Sequence, residues 1–169
     1  MGPVWGSLQE AFGARRIIWI DEGLKNDHTD GHIDNIARFV APGKIVCQVA
    51  SSSDDPNEKV LQSIITCLSN AADANGHKLE IIKIPSVGPF KNKQGEFSAA
   101  SHVNFVIANN VVIVPIYENV TSKRALGILQ DVFPHRKVVG IPSIGLLGSG
   151  NAGGGSFHCI TQQQPLMDA

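Results

Sequence analysis

The sequence predicts a mixed α+β fold, an α/β arrangement built from a strand–strand–helix–strand unit that is used twice. Short Val- and Ile-rich runs alternate with helical apolar stripes, and turn residues separate the two kinds of segment. The same order of elements recurs at an offset of roughly 65 residues. Such a period is typical of repeat architectures, whose units bury their apolar faces on one another. The alternative is an ordinary two-layer α+β domain whose element order repeats by coincidence.

In the first unit, strands are predicted at 36–40 and 44–50, with a Pro-Gly turn between them. The Asp-Pro-Asn-Glu sequence at 55–58 predicts a helix start, because Asp can cap a helix and Pro suits its first position. The helix then carries one apolar stripe, formed by Val60, Leu61, Ile64, Ile65, Leu68, Ala71 and Ala72. Asn-Gly at 75–76 is predicted to end it, and a third strand follows at 79–84.

The second unit repeats this order. A strand is predicted at 102–108 and, after a tight Asn-Asn turn, another at 111–114. Thr121 or Ser122 is expected to cap a helix. The apolar residues of this helix are Ala125, Leu126, Leu129 and Val132. A last strand is predicted at 138–141, which completes the second copy.

The first 20 residues carry a shorter pattern. One helical face is formed by Val4, Trp5, Leu8 and Phe12. Gly13 is predicted to stop this helix, and a strand is predicted at 17–20. The pattern is that of the end of a third unit, whose beginning would precede the chain.

Composition narrows the class of protein. With 169 residues, 43% hydrophobic and 17% charged, the chain is expected to form a single soluble domain over 1–169. A net charge of −1 without a basic run predicts no nucleic-acid and no membrane partner. Cys47, Cys67 and Cys159 are odd in number and widely spaced, which argues against a disulfide framework and a zinc site. We therefore expect no metal, a reducing compartment and a cytoplasmic location.

Two polar segments carry the candidate chemistry. Cys159 follows a glycine-rich stretch at 145–155, which predicts a loop whose backbone approaches a ligand or adopts positive φ. His32 and Asp34 lie in the upstream segment 27–35. A lone cysteine, a distant histidine and a nearby carboxylate can form a thiol-nucleophile site if the fold brings them together. If Ile33 is extended, His32 and Asp34 project to the same face.

These segments resemble the agmatine deiminase family, within the guanidine-modifying (pentein) enzymes. The most specific matches are Thr-Asp-Gly-His-Ile-Asp-Asn at 29–35 and His-Cys-Ile-Thr-Gln-Gln-Gln-Pro at 158–165. Weaker matches lie at 103–105, 111–115, 133–134 and 138–142. The resemblance implies a propeller-like ring of five strand–strand–helix–strand units, of which this chain covers about the C-terminal half.

By this resemblance Cys159 is the nucleophile, His32 transfers protons and Asp34 binds the substrate guanidinium. Gly154 and Gly155 are expected to belong to the substrate-binding loop. A guanidinium carbon is a poor electrophile, and a thiolate attacks it better than a hydroxyl does at neutral pH. A carboxylate can hold the planar guanidinium through two parallel hydrogen bonds.

The implied reaction is hydrolysis of agmatine to N-carbamoylputrescine and ammonia, a step of putrescine and polyamine biosynthesis that needs no cofactor. In the family, the upstream half supplies two further acidic residues around the guanidinium, so we expect weak or absent activity from the free chain. About half a ring would expose apolar surface and strand edges. We therefore expect a homo-oligomer or a complementing N-terminal half as a partner, besides the small-molecule substrate.

Other functions stay open at this stage. The chain could be a non-catalytic fragment, a subunit of a split enzyme, a different thiol hydrolase, or a deiminase that acts on arginine or another guanidine. Free arginine would need a clamp for its α-carboxylate, and neither Arg124 nor Arg136 is near the motifs in the sequence.

Several neighbouring residues are expected to be structural. His158 is predicted to pack away from Cys159, since successive strand residues face opposite ways. Asp27 and Asp30 are expected to order the loop. Asn104, between Val103 and Phe105, could face the channel but is assigned no role. Cys47 and Cys67 are predicted to lie in the core. Four histidines are expected on the surface or in loops: His28, His77, His102 and His135.

Overall fold

The computed structural model describes residues 3–27, 31–91, 95–117, 120–147 and 155–164. The described helices and strands are α1 (Pro3–Phe12), β1 (Ala37–Ala41), β2 (Lys44–Val49), α2 (Glu58–Asn70), β3 (Glu80–Pro85), β4 (Val106–Ile107), β5 (Val111–Ile116), α3 (Val120–Val132) and β6 (Lys137–Pro142). A short 3₁₀ turn, Ile33–Asn35, precedes β1. The mixed α+β class and the order strand–strand–helix–strand are confirmed in both units.

The two units have the same sheet topology. In each three-stranded sheet the second strand lies in the middle, antiparallel to the first and parallel to the third. Parallel neighbours need a crossover connection, which α2 supplies in the first unit and α3 in the second. The repeat seen in the sequence is therefore a repeat of topology.

The central strand β2 separates two apolar cores. Ile45 and Cys47 pack with the buried residues of α2, whereas Val46 packs with the second unit. Because side chains alternate along a strand, consecutive residues of β2 serve opposite faces. This explains why residues 45–47 at the centre of β2 form a continuous apolar run, since both faces of the strand are covered there.

Helix α3 lies where the two units meet. Its buried residues Ala125 and Leu129 share one core with residues of both sheets. These partners are Val46, Ile84, Val112 and Val114. Burying a side chain as large as leucine contributes about 1.5–3 kcal/mol, so this shared core holds the first unit against the second.

A third, smaller core surrounds Tyr117 directly after β5. The Tyr117 ring is buried among Val87, Ala100 and Leu147 and lies against the ring of Phe90. Its hydroxyl accepts a hydrogen bond from the backbone N–H of Ser101, 3.3 Å away. The core thus anchors the segment that leads to β4.

Two predicted boundaries shift because side chains bind the backbone locally. The carboxylate of Asp55 accepts a bond from Asn57 N at 2.8 Å, which makes a separate turn, and α2 starts only at Glu58. Helix α2 also ends at Asn70, before the predicted stop. Gly76, with φ of +86°, instead serves the turn that follows.

The strand predicted at 102–108 is wrong over most of its length, since only Val106–Ile107 pairs with β5. Ser101 Oγ accepts the N–H of Val103 at 3.0 Å, and this local bond competes with a strand ladder. His102 lies in a turn, which fits the loop position among the expected ones, but it is fully buried rather than on the surface. Its Nδ1 lies 2.9 Å from the Pro115 carbonyl oxygen.

The N-terminal segment follows the prediction in part. Helix α1 is present, and Gly13 follows it with φ of +62°. Residues 17–20 form no strand, although Ile18 and Ile20 pack on the first core. Among the described residues no helix is both long enough and apolar enough to cross a membrane.

Candidate active site

Asp34 enters the site from the 3₁₀ turn that precedes β1. The backbone N–H groups of Asn35 and Ile36 bond back to the carbonyls of His32 and Ile33, at 3.2 and 2.9 Å. This turn buries Asp34 and Asn35 and leaves His32 and Ile33 exposed. Ile33 is therefore not extended, so the condition under which His32 and Asp34 were expected to share one face is not met.

Asn104 enters from the segment that precedes β4 and is fully buried. Its Nδ2 donates to Asn35 Oδ1 at 2.9 Å and to Cys159 Sγ at 3.1 Å. Its Oδ1 accepts the backbone N–H of His158 at 3.0 Å. Asn104 therefore links the segment that precedes β1 to the segment that carries Cys159.

Cys159 lies in a turn rather than in a strand. Thr161 N donates to the carbonyl of His158 at 3.2 Å, and the Cys159 side chain is exposed. Gly155 has φ of +97°, and a Cβ built on it would lie 2.6 Å from Cys159 Sγ. Only glycine lets the backbone come this close to the sulfur. Gly154 lies outside the described residues.

The segments converge on the Asp34 carboxylate. Its Oδ2 accepts hydrogen bonds from His158 Nδ1 at 2.7 Å and from the Cys159 thiol at 3.2 Å. Among the buried side-chain nitrogen and oxygen atoms of the described residues, only Asp34 Oδ1 lacks a hydrogen-bond partner. Buried acceptors normally have donors, so this oxygen is available to a ligand that brings N–H groups.

The pKa of the Asp34 carboxylate and the pKa of the Cys159 thiol are shifted in opposite directions. Burial raises the pKa of Asp34, but hydrogen bonds from His158 and Cys159 and the nearby His158 and His32 lower it, with a net decrease. Burial also raises the pKa of Cys159, as does Asp34, whereas hydrogen bonds from Asn104 and the Ser156 backbone lower it. The net pKa of the thiol is raised, which favours its protonated form when no ligand is bound.

Arg38 on β1 places a cation near this pair. Its guanidinium donates to the Phe105 carbonyl at 2.8 Å and lies 4.9 Å from the centre of the Phe105 ring. Burial lowers the pKa of Arg38, while attraction to Asp34 and Cys159 raises it. Sequence reasoning missed this residue, because an arginine inside a predicted strand suggests only an exposed position.

The structure brings Cys159 and Asp34 into contact, and His32 is near enough to influence the Asp34 carboxylate electrostatically. The packing role predicted for His158 is wrong, because strand alternation does not apply inside a turn. Asn104 was also missed. An amide between Val103 and Phe105, in an apolar run, was the available signal, since a buried amide requires hydrogen-bond partners.

The remaining predictions for individual residues agree with the structure only in part. Cys47 is fully buried, as predicted, whereas Cys67 is only half-buried and its thiol donates to the Trp19 carbonyl at 3.3 Å. Asp27 is buried and accepts a bond from Asn35 Nδ2 at 3.4 Å, consistent with a loop-ordering role. His28 and Asp30 lie outside the described residues. Across the described part of the chain, no group of three or more His, Cys, Asp or Glu side chains is arranged to hold a metal ion.

Comparison with known proteins shows where this arrangement belongs. The family model described as Porphyromonas-type peptidyl-arginine deiminase matches residues 4–165. The chain belongs to this family. The resemblance drawn from the two motif segments is thereby confirmed at the level of the family.

Several relatives and solved structures that this chain is similar to are named agmatine deiminases, and one similar structure is named a putative arginine deiminase from Porphyromonas gingivalis. The agmatine deiminase of Pseudomonas aeruginosa (strain LESB58) is 37% identical over 176 residues, which cover 94% of this chain and 47% of the relative. The structure of Enterococcus faecalis agmatine deiminase matches with a TM-score of 0.87 and 28% identity, covering 98% of this chain and 49% of that one. A C. jejuni agmatine deiminase with substrate bound matches with a TM-score of 0.80 and 27% identity, over 94% of this chain and 45% of that one.

These matches support a family of guanidine-modifying hydrolases and the mixed α+β fold. The chain spans about half the length of the curated relatives it matches. The activity and substrates of the longer proteins therefore enter below as proposals for this chain.

Proposed function

We propose that this chain hydrolyses the guanidinium group of agmatine to N-carbamoylputrescine and ammonia, with Cys159 as the nucleophile. One observation carries the proposal. The buried Oδ1 of Asp34 has no partner among the described residues, while Oδ2 of the same carboxylate lies 3.2 Å from Cys159 Sγ. A guanidinium bound to this carboxylate would supply the missing donor and would hold its carbon beside the sulfur.

Asp34 is the proposed substrate-binding residue. A carboxylate can accept two parallel N–H bonds from a planar guanidinium, one at each oxygen. Oδ2 is shared with His158 and with the thiol proton, and that second bond ends when the thiol ionises. The pKa of Asp34 is lowered overall, so the group is ready to bind a cation at neutral pH.

Substrate binding would also activate the nucleophile. The Asp34 carboxylate and burial raise the pKa of Cys159 in the ligand-free protein. A bound guanidinium compensates the charge of Asp34 and adds a positive charge beside the sulfur, so it favours the thiolate. The reactive form would then appear mainly when a cationic substrate is present.

His32 is the proposed proton-transfer residue. The Cys159 sulfur forms a bond to the guanidinium carbon, His32 gives a proton to the departing nitrogen, the C–N bond breaks, and ammonia leaves. A water then attacks the thiouronium carbon and gives its proton to His32. The C–S bond of this adduct then breaks and its hydroxyl proton passes to solvent, which releases the neutral ureido product and regenerates the thiolate.

We also propose roles for the glycine loop beside Cys159 and for the two units that surround the site. Gly154 and Gly155 would form the substrate-binding loop, and the close approach of Gly155 to Cys159 supports this assignment for that residue. The two strand–strand–helix–strand units would be part of a propeller-like five-unit ring within one domain over 1–169. A second copy of the chain or a complementing segment would cover the remaining edges, and the protein would act in the cytoplasm.

The family description favours a second candidate, the guanidinium of arginine in a peptide. Free arginine would need a cationic clamp for its α-carboxylate, and Arg38, the cation beside the site, already donates to the Phe105 carbonyl. Arg136 is already used elsewhere, since its Nε donates to the Ala108 carbonyl at 3.1 Å and its guanidinium lies over the Phe133 ring.

The test is formation of ureido product and ammonia by the purified chain from agmatine, free arginine and a blocked arginine peptide. We expect weak but measurable turnover of agmatine that disappears in Cys159→Ala and persists in Cys67→Ala, a matched variant at a half-buried thiol outside the site. Preference for the peptide would instead support the second candidate. Absence of turnover with all three substrates would contradict the proposed activity of this chain.

A further inference from the structure

Asn104 uses its whole side-chain amide in the site. An asparagine offers two N–H donors and a carbonyl acceptor. The two donors go to Asn35 Oδ1 at 2.9 Å and to Cys159 Sγ at 3.1 Å, and the acceptor takes the N–H of His158 at 3.0 Å. The amide is therefore fully engaged, although its side chain is completely buried.

The network fixes the orientation of this amide from both ends. Asp27 Oδ2 can only accept, so Asn35 turns its Nδ2 toward it, at 3.4 Å, and its Oδ1 toward Asn104. At the other end, the N–H of His158 donates to Asn104 Oδ1 at 3.0 Å and to the Asn104 backbone carbonyl at 3.3 Å, and a reversed amide would turn its own N–H group against this donor. Both constraints turn the Asn104 nitrogen toward the sulfur of Cys159.

We propose that Asn104 is a positioning residue that holds the Cys159 sulfur beside Asp34 and stabilises its thiolate form. The proposal deepens the function proposed above and rests on Cys159 being the nucleophile. Hydrogen bonds to the charged form of a group favour that form, so an N–H aimed at the sulfur opposes the effects of burial and of the Asp34 carboxylate. A neutral amide does this without pairing with Asp34, whose Oδ1 stays available for the substrate.

Two variants separate the donor contacts of the amide from its acceptor contact. Asn104→Asp has nearly the same shape and keeps an acceptor for the N–H of His158, but it has no N–H for the sulfur or for Asn35 Oδ1. Asn104→Ala removes all three contacts and adds no charge, so it shows whether an effect of the Asp variant is only that of its new carboxylate. Ser101→Ala is the matched control, because Ser101 is similarly buried and bonds to Asn35 O and Val103 N in the same region.

The experiment measures the rate of alkylation of Cys159 by iodoacetamide against pH, followed by mass spectrometry on the full chain. In Asn104→Asp we expect the midpoint of the profile to rise by about one pH unit, so that labelling well below the midpoint slows by about tenfold. Asn104→Ala should shift in the same direction by a smaller amount, since water can replace the donor. Ser101→Ala should leave the midpoint unchanged.

Unchanged midpoints in both Asn104 variants would overturn the proposal, as would an equal shift in Ser101→Ala, which would indicate general loosening of the region. Thermal melting checks folding, and if Asn104→Asp does not fold, Asn104→Ala carries the test alone. Alkylation does not depend on deiminase turnover. A shifted midpoint without turnover of agmatine would therefore support the role of Asn104 while contradicting the proposed activity.

Discussion

The two units share a topology but differ in the chemistry of the segments that lead into their first strands, β1 and β4. We call these segments the entrances of the units. Each has a central strand that is antiparallel to the first strand and parallel to the third. The entrance of the first unit carries charged or ionisable groups, His32 and Asp34, whereas that of the second carries the neutral amide of Asn104. The segments that lead into the first strands, rather than the sheets, therefore distinguish the two units chemically.

The thiol belongs to neither entrance, because Cys159 follows the second unit. It accepts from the neutral entrance through Asn104 and donates to the charged entrance through Asp34. The comparison therefore assigns different tasks to the two units. The first unit would bind and protonate the substrate, and the second would hold the nucleophile.

The largest effect should come from His32, one of the two histidines that act on the Asp34 carboxylate. His32→Ala should lower turnover of agmatine by about 10²–10⁴-fold, the usual contribution of a general acid–base. His158→Ala should lower it by only about tenfold, since it removes one hydrogen bond to Asp34. Initial rates of ureido product formation measure both, with exposed His77→Ala as the control. A greater loss of turnover in His158→Ala than in His32→Ala would indicate that His158, next to Cys159, transfers the proton instead.

Gly155→Ala should have the next largest effect. The new Cβ would lie 2.6 Å from Cys159 Sγ, at a backbone φ of +97° that L side chains rarely adopt. A displacement of about 1 Å can cost about 100-fold in rate, and we expect a loss of that order in turnover. Gly127→Ala is the matched control, since it adds the same methyl to open space on α3 and should stabilise that helix by about 0.5–1 kcal/mol. Equal rates in the two variants would contradict the close approach of Gly155.

A smaller effect is expected on the free energy of unfolding. It tests whether the Asp34 carboxylate is charged in the folded protein. The pKa of Asp34 is lowered in the folded protein, so its carboxylate contributes stability above the unfolded pKa of about 4, and this contribution is lost as pH falls further. Asp34→Asn should therefore lower the free energy of unfolding by about 1–2 kcal/mol at pH 6, as expected for hydrogen bonds to a charged group.

Urea unfolding at several pH values between 6 and 3 measures this difference, which should narrow as the pH falls. Asp21→Asn is the control, because Asp21 is exposed. A constant difference between wild type and Asp34→Asn over the whole range would show that the loss does not come from the charge.

The repeat of strands and helices could be predicted from the sequence because periodicity and local patterning reflect short-range physics. The stripe that includes Leu61, Ile64 and Leu68 is the buried face of α2 as predicted. The family resemblance pointed to Cys159 and Asp34. These residues are 125 positions apart in the sequence, and their side chains are in contact in the structure.

What the sequence could not give is the conformation of short polar segments. Ile33 lies in a 3₁₀ turn and His158 in another turn, so the rule of alternating faces failed at both sites. The role of Asn104 depends on partners 69 and 55 residues away. Local propensity carries no information about such pairings, which are determined by how the two units pack.

The most direct test of the central claim compares two small alkylating agents at Cys159, the cationic 2-chloroacetamidine and its neutral analogue 2-chloroacetamide. The ratio of their labelling rates, read by mass spectrometry, reports whether Asp34 recruits a planar cation to the sulfur, whatever the turnover of the chain. We predict a ratio of at least about tenfold above that of a free thiol, corresponding to about 1.4 kcal/mol, and a return to the free-thiol ratio in Asp34→Asn. An equal ratio in wild type and Asp34→Asn would contradict a guanidinium site at Cys159.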